Sequence, residues 1–154
     1  MEYDYLAAGA MVRVGEEFLI LKRHANDSGQ AGKWGLPGGG VEEDETPREA
    51  VIRELKEEAR ITTENINLLD DAVFKYPGTI VRYQTYELVL TKKPEVILSH
   101  EHDAYKWVTA EEWANMPDRH PGAHELMIRL KLVPETETQS TSRTYQVEEK
   151  LSES

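Results

Sequence analysis

Between Glu42 and Glu58 the chain carries eight carboxylates: Glu42, Glu43, Asp44, Glu45, Glu49, Glu54, Glu57 and Glu58. Only Arg48, Arg53 and Lys56 oppose them. Like charges crowded this closely destabilise a fold unless something offsets them, and a divalent cation is the simplest offset. Glu54, Glu57 and Glu58 stand three and four residues apart, so on a helix they share one face. Three carboxylates converging there without a thiol or an imidazole make a hard oxygen site, suited to Mg²⁺ or Mn²⁺ rather than Zn²⁺ or copper. The alternative is a solvated acidic face, which is what most Glu-rich helices present. The approach to the helix argues against that alternative. Trp34-Gly35-Leu36-Pro37-Gly38-Gly39-Gly40 leads into it, and a solvated helix needs no glycine-rich lead. Such a loop brings backbone amides and carbonyls close to a ligand.

The same stretch predicts the helix that must hold the trio. Thr46 has the character of an N-cap, Pro47 suits the first helical position, and Glu49 follows the cap by three residues: a capping box with proline at N1. Nothing breaks a helix from Pro47 to about Arg60. Val51, Leu55 and Ala59, with Ile52 beside them, form an apolar stripe on a different face from the trio.

These residues resemble the signature of the Nudix hydrolases: Gly, five residues, Glu, seven residues, Arg-Glu, an aliphatic residue, any residue, Glu-Glu, any residue, Gly, an aliphatic residue. Gly39, Glu45, Arg53, Glu54, Leu55, Glu57, Glu58 and Ile61 fall on that spacing. Arg60 replaces the last glycine, which puts in question the turn that ends the helix. Asp44 stands where many members have glycine. Neither position is a metal ligand in the family. The resemblance implies an α/β fold, an α/β/α sandwich around a mixed sheet, over residues 1–133. It implies hydrolysis of the diphosphate linkage in a small-molecule nucleotide, a nucleoside triphosphate or a nucleotide sugar. Mg²⁺ or Mn²⁺ is the expected cofactor, held by Gly38, Glu54, Glu57 and Glu58. Glu101 resembles the extra ligand of some members. The expected catalytic set is Glu54, Glu57 and Arg53, with Glu54 favoured as base and Arg53, paired to carboxylates such as Glu45, fixing glutamate rotamers. Arg23 and Lys33 are candidate phosphate contacts and Tyr83 a candidate substrate contact. A homodimer, common in the family, stays open. Two other functions also remain open: a dinucleoside polyphosphate hydrolase, which the segment around Glu101 resembles, and a non-catalytic Nudix-like nucleotide-binding module.

The rest of the chain supplies the scaffold. Leu6, Ala8, Ala10, Val12 and Val14 alternate with Tyr5, Ala7, Gly9, Met11 and Arg13, which predicts a half-buried strand. Phe18 to Arg23 reads as a second strand after a Gly15-Glu16 turn, and His24 to Lys33 as a mobile loop. Trp34 reads as a core or rim aromatic. Asn65 to Tyr76 suggests an irregular strand broken at Asp70-Asp71. Thr79 to Leu90 is rich in β-formers and has mixed faces, as expected of a central strand lining a pocket. Arg82, Gln84 and Tyr86 join Tyr83 there as candidate selectivity residues. Ser99 to Val108 leads into a second helix, opened by a capping box from Thr109 to Glu112. His100-Glu101-His102 invites a zinc reading, but the sequence shows no further ligands, and exposed or satisfied histidines fit it better. Pro121 to Leu132 predicts a last helix.

Residues 134–154 are Glu-, Thr- and Ser-rich and predict a flexible tail, in which Tyr145 and Val147 could add a short strand to a neighbour. At 154 residues the chain suits one domain with a proper core. It has no apolar run of about 18 residues, so no membrane span is expected. Nor does its N-terminus carry a basic segment suggesting a signal peptide. A net charge of −11 argues against polymeric nucleic acid as a partner. The absence of cysteine removes disulfides and thiolate metal sites and fits a cytoplasmic setting.

Overall fold

The computed structural model describes residues 2–26, 29–134 and 146–147. Among these residues eight strands form one mixed sheet: β1 (Tyr5–Val14), β2 (Glu17–Arg23), β3 (Trp34–Gly35), β4 (Gly38–Gly40), β5 (Asn67–Tyr76), β6 (Thr79–Leu90), β7 (His102–Thr109) and β8 (Gln146–Val147). The helices are α1 (Pro47–Ala59), α2 (Ala110–Ala114) and α3 (Pro121–Arg129). The sheet order is β3-β2-β1-β6-β5-β8, with β4 also on β1 and β7 on β2. β1 and β6 run parallel in unbroken register from Tyr5↔Val81 to Val14↔Leu90, and the other pairings between these strands are antiparallel.

Two apolar clusters fix the layers. Val51, Leu55 and Ala59 of α1 pack on Ala8, Ala10, Val12, Leu19, Leu21 and Leu88. On the opposite face Met11, Phe18 and Ile20 meet Trp113 of α2 and Met127 of α3. Alternate residues of β1 and β2 therefore feed opposite cores, giving the expected α/β/α sandwich. β1 departs from the half-buried expectation: Ala7, Ala8, Ala10, Met11 and Val12 are all buried, because helices cover both faces of this strand. Alternation between small and larger apolar residues resembles half-burial when both faces are covered.

Both capping boxes form. The Thr46 hydroxyl accepts from Glu49 N–H at 3.1 Å, and the Glu49 carboxylate accepts from Thr46 N–H at 2.9 Å. Thr109 and Glu112 do the same at 3.1 and 2.8 Å. Arg60 ends α1 in the left-handed conformation (φ 58°, ψ 33°), so the turn is kept although the residue is not glycine.

Several expectations need correction. β5 is not broken at Asp70-Asp71; it continues through them with a bulge between Leu68 and Asp70. Both carboxylates are buried, and each has a guanidinium partner: Arg129 grips Asp70 at 3.0 and 3.1 Å, and Arg82 grips Asp71 at 3.0 and 2.6 Å. His102–Thr109 is a strand rather than a plain lead into α2, paired along the whole of β2. α3 stops at Arg129, three residues short of Leu132. Gln146 and Val147 pair with Lys75 and Phe74 of this chain's own β5. Tyr145 and most of the expected tail lie outside the described residues, as do Asp27 and Ser28 of the expected loop.

Candidate active site

β4 lays its glycines against β1, with Gly38 opposite Gly9 and Gly39 opposite Ala8. At Gly38 (φ 148°) a Cβ would overlap the Ala8 carbonyl, and at Gly39 it would come within 2.6 Å of Glu54 Oε2. The loop therefore threads between a strand backbone, which at Gly38 only glycine permits, and a carboxylate that a side chain at position 39 would push aside. Gly38 N–H donates to Glu58 Oε1 at 2.9 Å, tying the loop to the last turn of α1.

Glu58 is buried, with 5% of its surface exposed. Burial, followed by the charge of Glu54, pushes its carboxyl up to about 9, and Glu101 adds to the effect. Glu54 is raised as well, chiefly by burial, while Arg53 pulls it back. The two carboxyls act on each other directly, and that contact favours the protonated form of Glu58 and the ionised form of Glu54. A divalent cation could replace that proton, and these hard oxygen donors fit one.

Arg53 is the hub of the outer carboxylates. Its Nε and Nη2 donate to Glu45 at 3.1 and 2.6 Å, Nη2 also reaches Gly40 O at 3.3 Å, and Nη1 donates to Glu57 at 3.2 Å. Glu54 Oε2 lies 3.4 Å from the same Nη1. The expected convergence of Glu57 with Glu54 and Glu58 is thus incomplete, because Glu57 turns out to Arg53 one helical turn away. Among the described residues, Glu58, Glu101 and His102 bring one ligand-type atom each within 4.8 Å of one another. The sequence pattern suggests that His102 belongs to a loop of exposed or satisfied histidines, whereas β7 carries it into this group.

Gly38, Arg53, Glu54, Glu57, Glu58 and Glu101 line one cleft of about 700 Å³. A second, narrower cavity of about 250 Å³ adjoins it, sharing Tyr5, Arg23 and Gly38 to Gly40. Lys33 and Tyr83 line the cavity rather than the cleft. Arg23 ends β2 at a bulge, and its N–H donates to Lys33 O at 2.9 Å, which keeps the two cations together. Leu21, Leu36, Phe74, Val81 and Leu126 make the cavity wall apolar. Burial raises the Tyr83 hydroxyl, so it stays a neutral phenol.

A NUDIX domain model matches residues 5–130. The putative 8-oxo-dGTP diphosphatase 3 of Mycobacterium tuberculosis is 31% identical over 94% of this chain and 73% of its own length. The asymmetrical bis(5'-nucleosyl)-tetraphosphatase of Caenorhabditis elegans is 32% identical over 66% of this chain and 74% of its own length. Among solved structures, the MutT protein of Methanosarcina mazei Go1 superposes with a TM-score of 0.74 at 30% identity, covering 85% of this chain and 96% of that one.

This chain is a Nudix hydrolase. It belongs to the enzymes that cleave acid anhydrides in phosphorus-containing compounds. No helix among its described residues is long and apolar enough to cross a membrane.

Within this Nudix fold the expected selectivity residues separate. Tyr83 faces the cavity, but Arg82 and Gln84 both donate to Asp71, and the Tyr86 hydroxyl donates to Gln84 at 2.9 Å. Strand alternation explains the split, since even-numbered residues of β6 face away from the cavity. Trp34 is 7% exposed and belongs to the core, with the Lys22 and Lys106 ammonium groups 5.9 and 5.7 Å from its ring. Tyr76 and His120 line the cavity, and sequence reasoning does not single out either. His120 carries one legible sign, its place immediately before Pro121 at a helix start.

Proposed function

We propose that the protein is a divalent-metal-dependent pyrophosphohydrolase that cleaves the diphosphate linkage of a nucleoside triphosphate or nucleotide sugar. The observation that carries this reading is the continuity of an acidic cleft with an apolar cavity across Arg23 and the glycine loop. A nucleotide has the same two ends, an anionic diphosphate and a flat, largely apolar base.

Gly38, Glu54, Glu57, Glu58 and Glu101 would hold Mg²⁺ or Mn²⁺. Bound there, such an ion would supply charge neutralisation for the diphosphate and a more acidic water. Arg23 and Lys33, joined through their backbones, bind phosphate oxygens from the cavity side. Glu54 takes the proton of the attacking water. Its carboxyl is raised toward a useful range by burial yet kept ionisable by Arg53. Arg53 touches Glu45, Gly40, Glu54 and Glu57 together and so fixes the base and the loop relative to each other. The relatives named for 8-oxo-dGTP and for dinucleoside tetraphosphate hydrolysis support nucleotides as the substrate class.

The test is a panel of nucleoside triphosphates, nucleotide sugars and dinucleoside polyphosphates with Mg²⁺ or Mn²⁺, scored for phosphate, pyrophosphate and mononucleotide. Mononucleotide release that E54Q abolishes supports the proposal. Preference for the dinucleoside compounds would replace it with the tetraphosphatase reading. Nucleotide binding without turnover would leave a binding module.

A further inference from the structure

His120 lines the apolar cavity at the start of α3. Its Nδ1 accepts the N–H of Gly122 at 3.0 Å and of Ala123 at 3.3 Å. A ring nitrogen that receives amide hydrogens presents its lone pair, so the proton of the neutral ring sits on Nε2. Burial, then the charges of Arg23 and Lys33, pull the ring down to about 4. Adding a second proton would also drive a hydrogen into the two amides. The ring therefore stays neutral near pH 7 with its tautomer locked. Both of its hydrogen bonds to described residues are at Nδ1, which leaves Nε2–H as a one-way donor.

Hydroxyl and amide side chains can turn to donate or accept, but this group cannot. Leu21, Leu36, Phe74, Val81 and Leu126 contribute shape and exclude water without telling one polar edge from another. We propose that His120 selects the base: its Nε2–H donates to a ring carbonyl, favouring an oxo-substituted nucleobase over its amino-substituted counterpart. An exocyclic amino group would set N–H against N–H in a water-poor cavity and leave a donor unmet. The inference rests on the reading of the cavity as the base subsite, and it adds which class of base.

The test uses deoxynucleoside monophosphates in calorimetric titrations without metal. dIMP is compared with dAMP, and dUMP with dCMP, on wild type, H120S and H120N. Ser and Asn both keep a helix cap, but the short Ser holds its O–H at the cap whereas Asn extends an N–H donor beyond it. Wild type is expected to bind the oxo member of at least one pair about tenfold more tightly. H120S should bring that ratio near unity and H120N should retain it. Equal affinities in both wild-type pairs overturn the inference, as does an H120S ratio that stays at the wild-type value. Parallel loss in H120S and H120N, with unchanged melting temperatures, assigns the ratio to ring shape and overturns it too. Nitrogen-15 NMR that places the ring proton on Nδ1 has the same consequence. These titrations need no turnover, so failure of the hydrolysis panel defeats the enzymatic reading while His120 is still judged by its own ratio.

Discussion

The buried Glu58 should make the protein, without metal, less stable than its E58Q variant. Its carboxyl is raised from 4.5 to about 9 in the fold. The folded state thus binds a proton that the unfolded state releases above pH 4.5. Stability falls as pH rises through this window, and the loss is complete only near the upper value. At pH 7 the gap is about 2.5 pH units, which at about 1.4 kcal/mol per unit makes about 3.5 kcal/mol. E58Q imitates the protonated side chain: its oxygen accepts from Gly38 N–H and its amide donates to Glu54. It should escape the penalty, so with EDTA at pH 7 it melts about 7–14 °C above wild type. At pH 5 the gap should nearly close, because wild type then takes up the proton easily. Added Mg²⁺ should raise the wild-type melting temperature in proportion to the logarithm of its concentration and raise that of E58Q by less. Thermal unfolding followed by circular dichroism across pH 5 to 8 reads all of this. A gap that is absent, reversed or independent of pH refutes the reasoning.

R53K keeps the charge but cannot grip Glu45 with two nitrogens while reaching Gly40 and Glu57. A fall of about 10–100-fold in kcat is expected in steady-state kinetics, with the urea midpoint little changed. R60G relieves a left-handed non-glycine residue at the end of α1 and should stabilise by up to about 1 kcal/mol in urea unfolding. R129M strips Asp70, which is 4% exposed, of its bidentate partner. A loss of about 3–5 kcal/mol is expected in the same assay, and a loss under 1 kcal/mol would show that the carboxylate finds another partner or a proton.

Interactions that close within a few residues are legible in the amino-acid order. Both capping boxes join residues three apart, and α1 runs where its cap and stripe place it. β6 runs from Thr79 to Leu90 as its β-formers indicate. Features that depend on distant partners are hidden. Asp70 resembles a strand breaker because Arg129, which makes its burial tolerable, lies 59 residues on. β7 reads as polar because it borders the sheet through β2 alone, with only Val108 buried. Glu57 shares a helical turn with Glu58, yet its rotamer is decided by Arg53 on the preceding turn. Periodicity assigns a face to a side chain but not a partner.

The same division runs through the site. The acidic cleft is built mainly from one loop and the helix that follows it, so its chemistry is local in sequence and survives in a short motif. The cavity takes Leu21 from β2, Phe74 and Tyr76 from β5, Val81 and Tyr83 from β6, and His120 and Leu126 around α3. No spacing rule links those positions, because the sheet brings them together only after β1 and β6 pair in parallel across the intervening chain. If the cleft cleaves and the cavity holds the base, as proposed, single substitutions on separate elements can change the choice of base while the signature helix stays intact. A substitution at His120, on the proposed reading, should alter which nucleotide is taken and leave the carboxylates of the cleft in place.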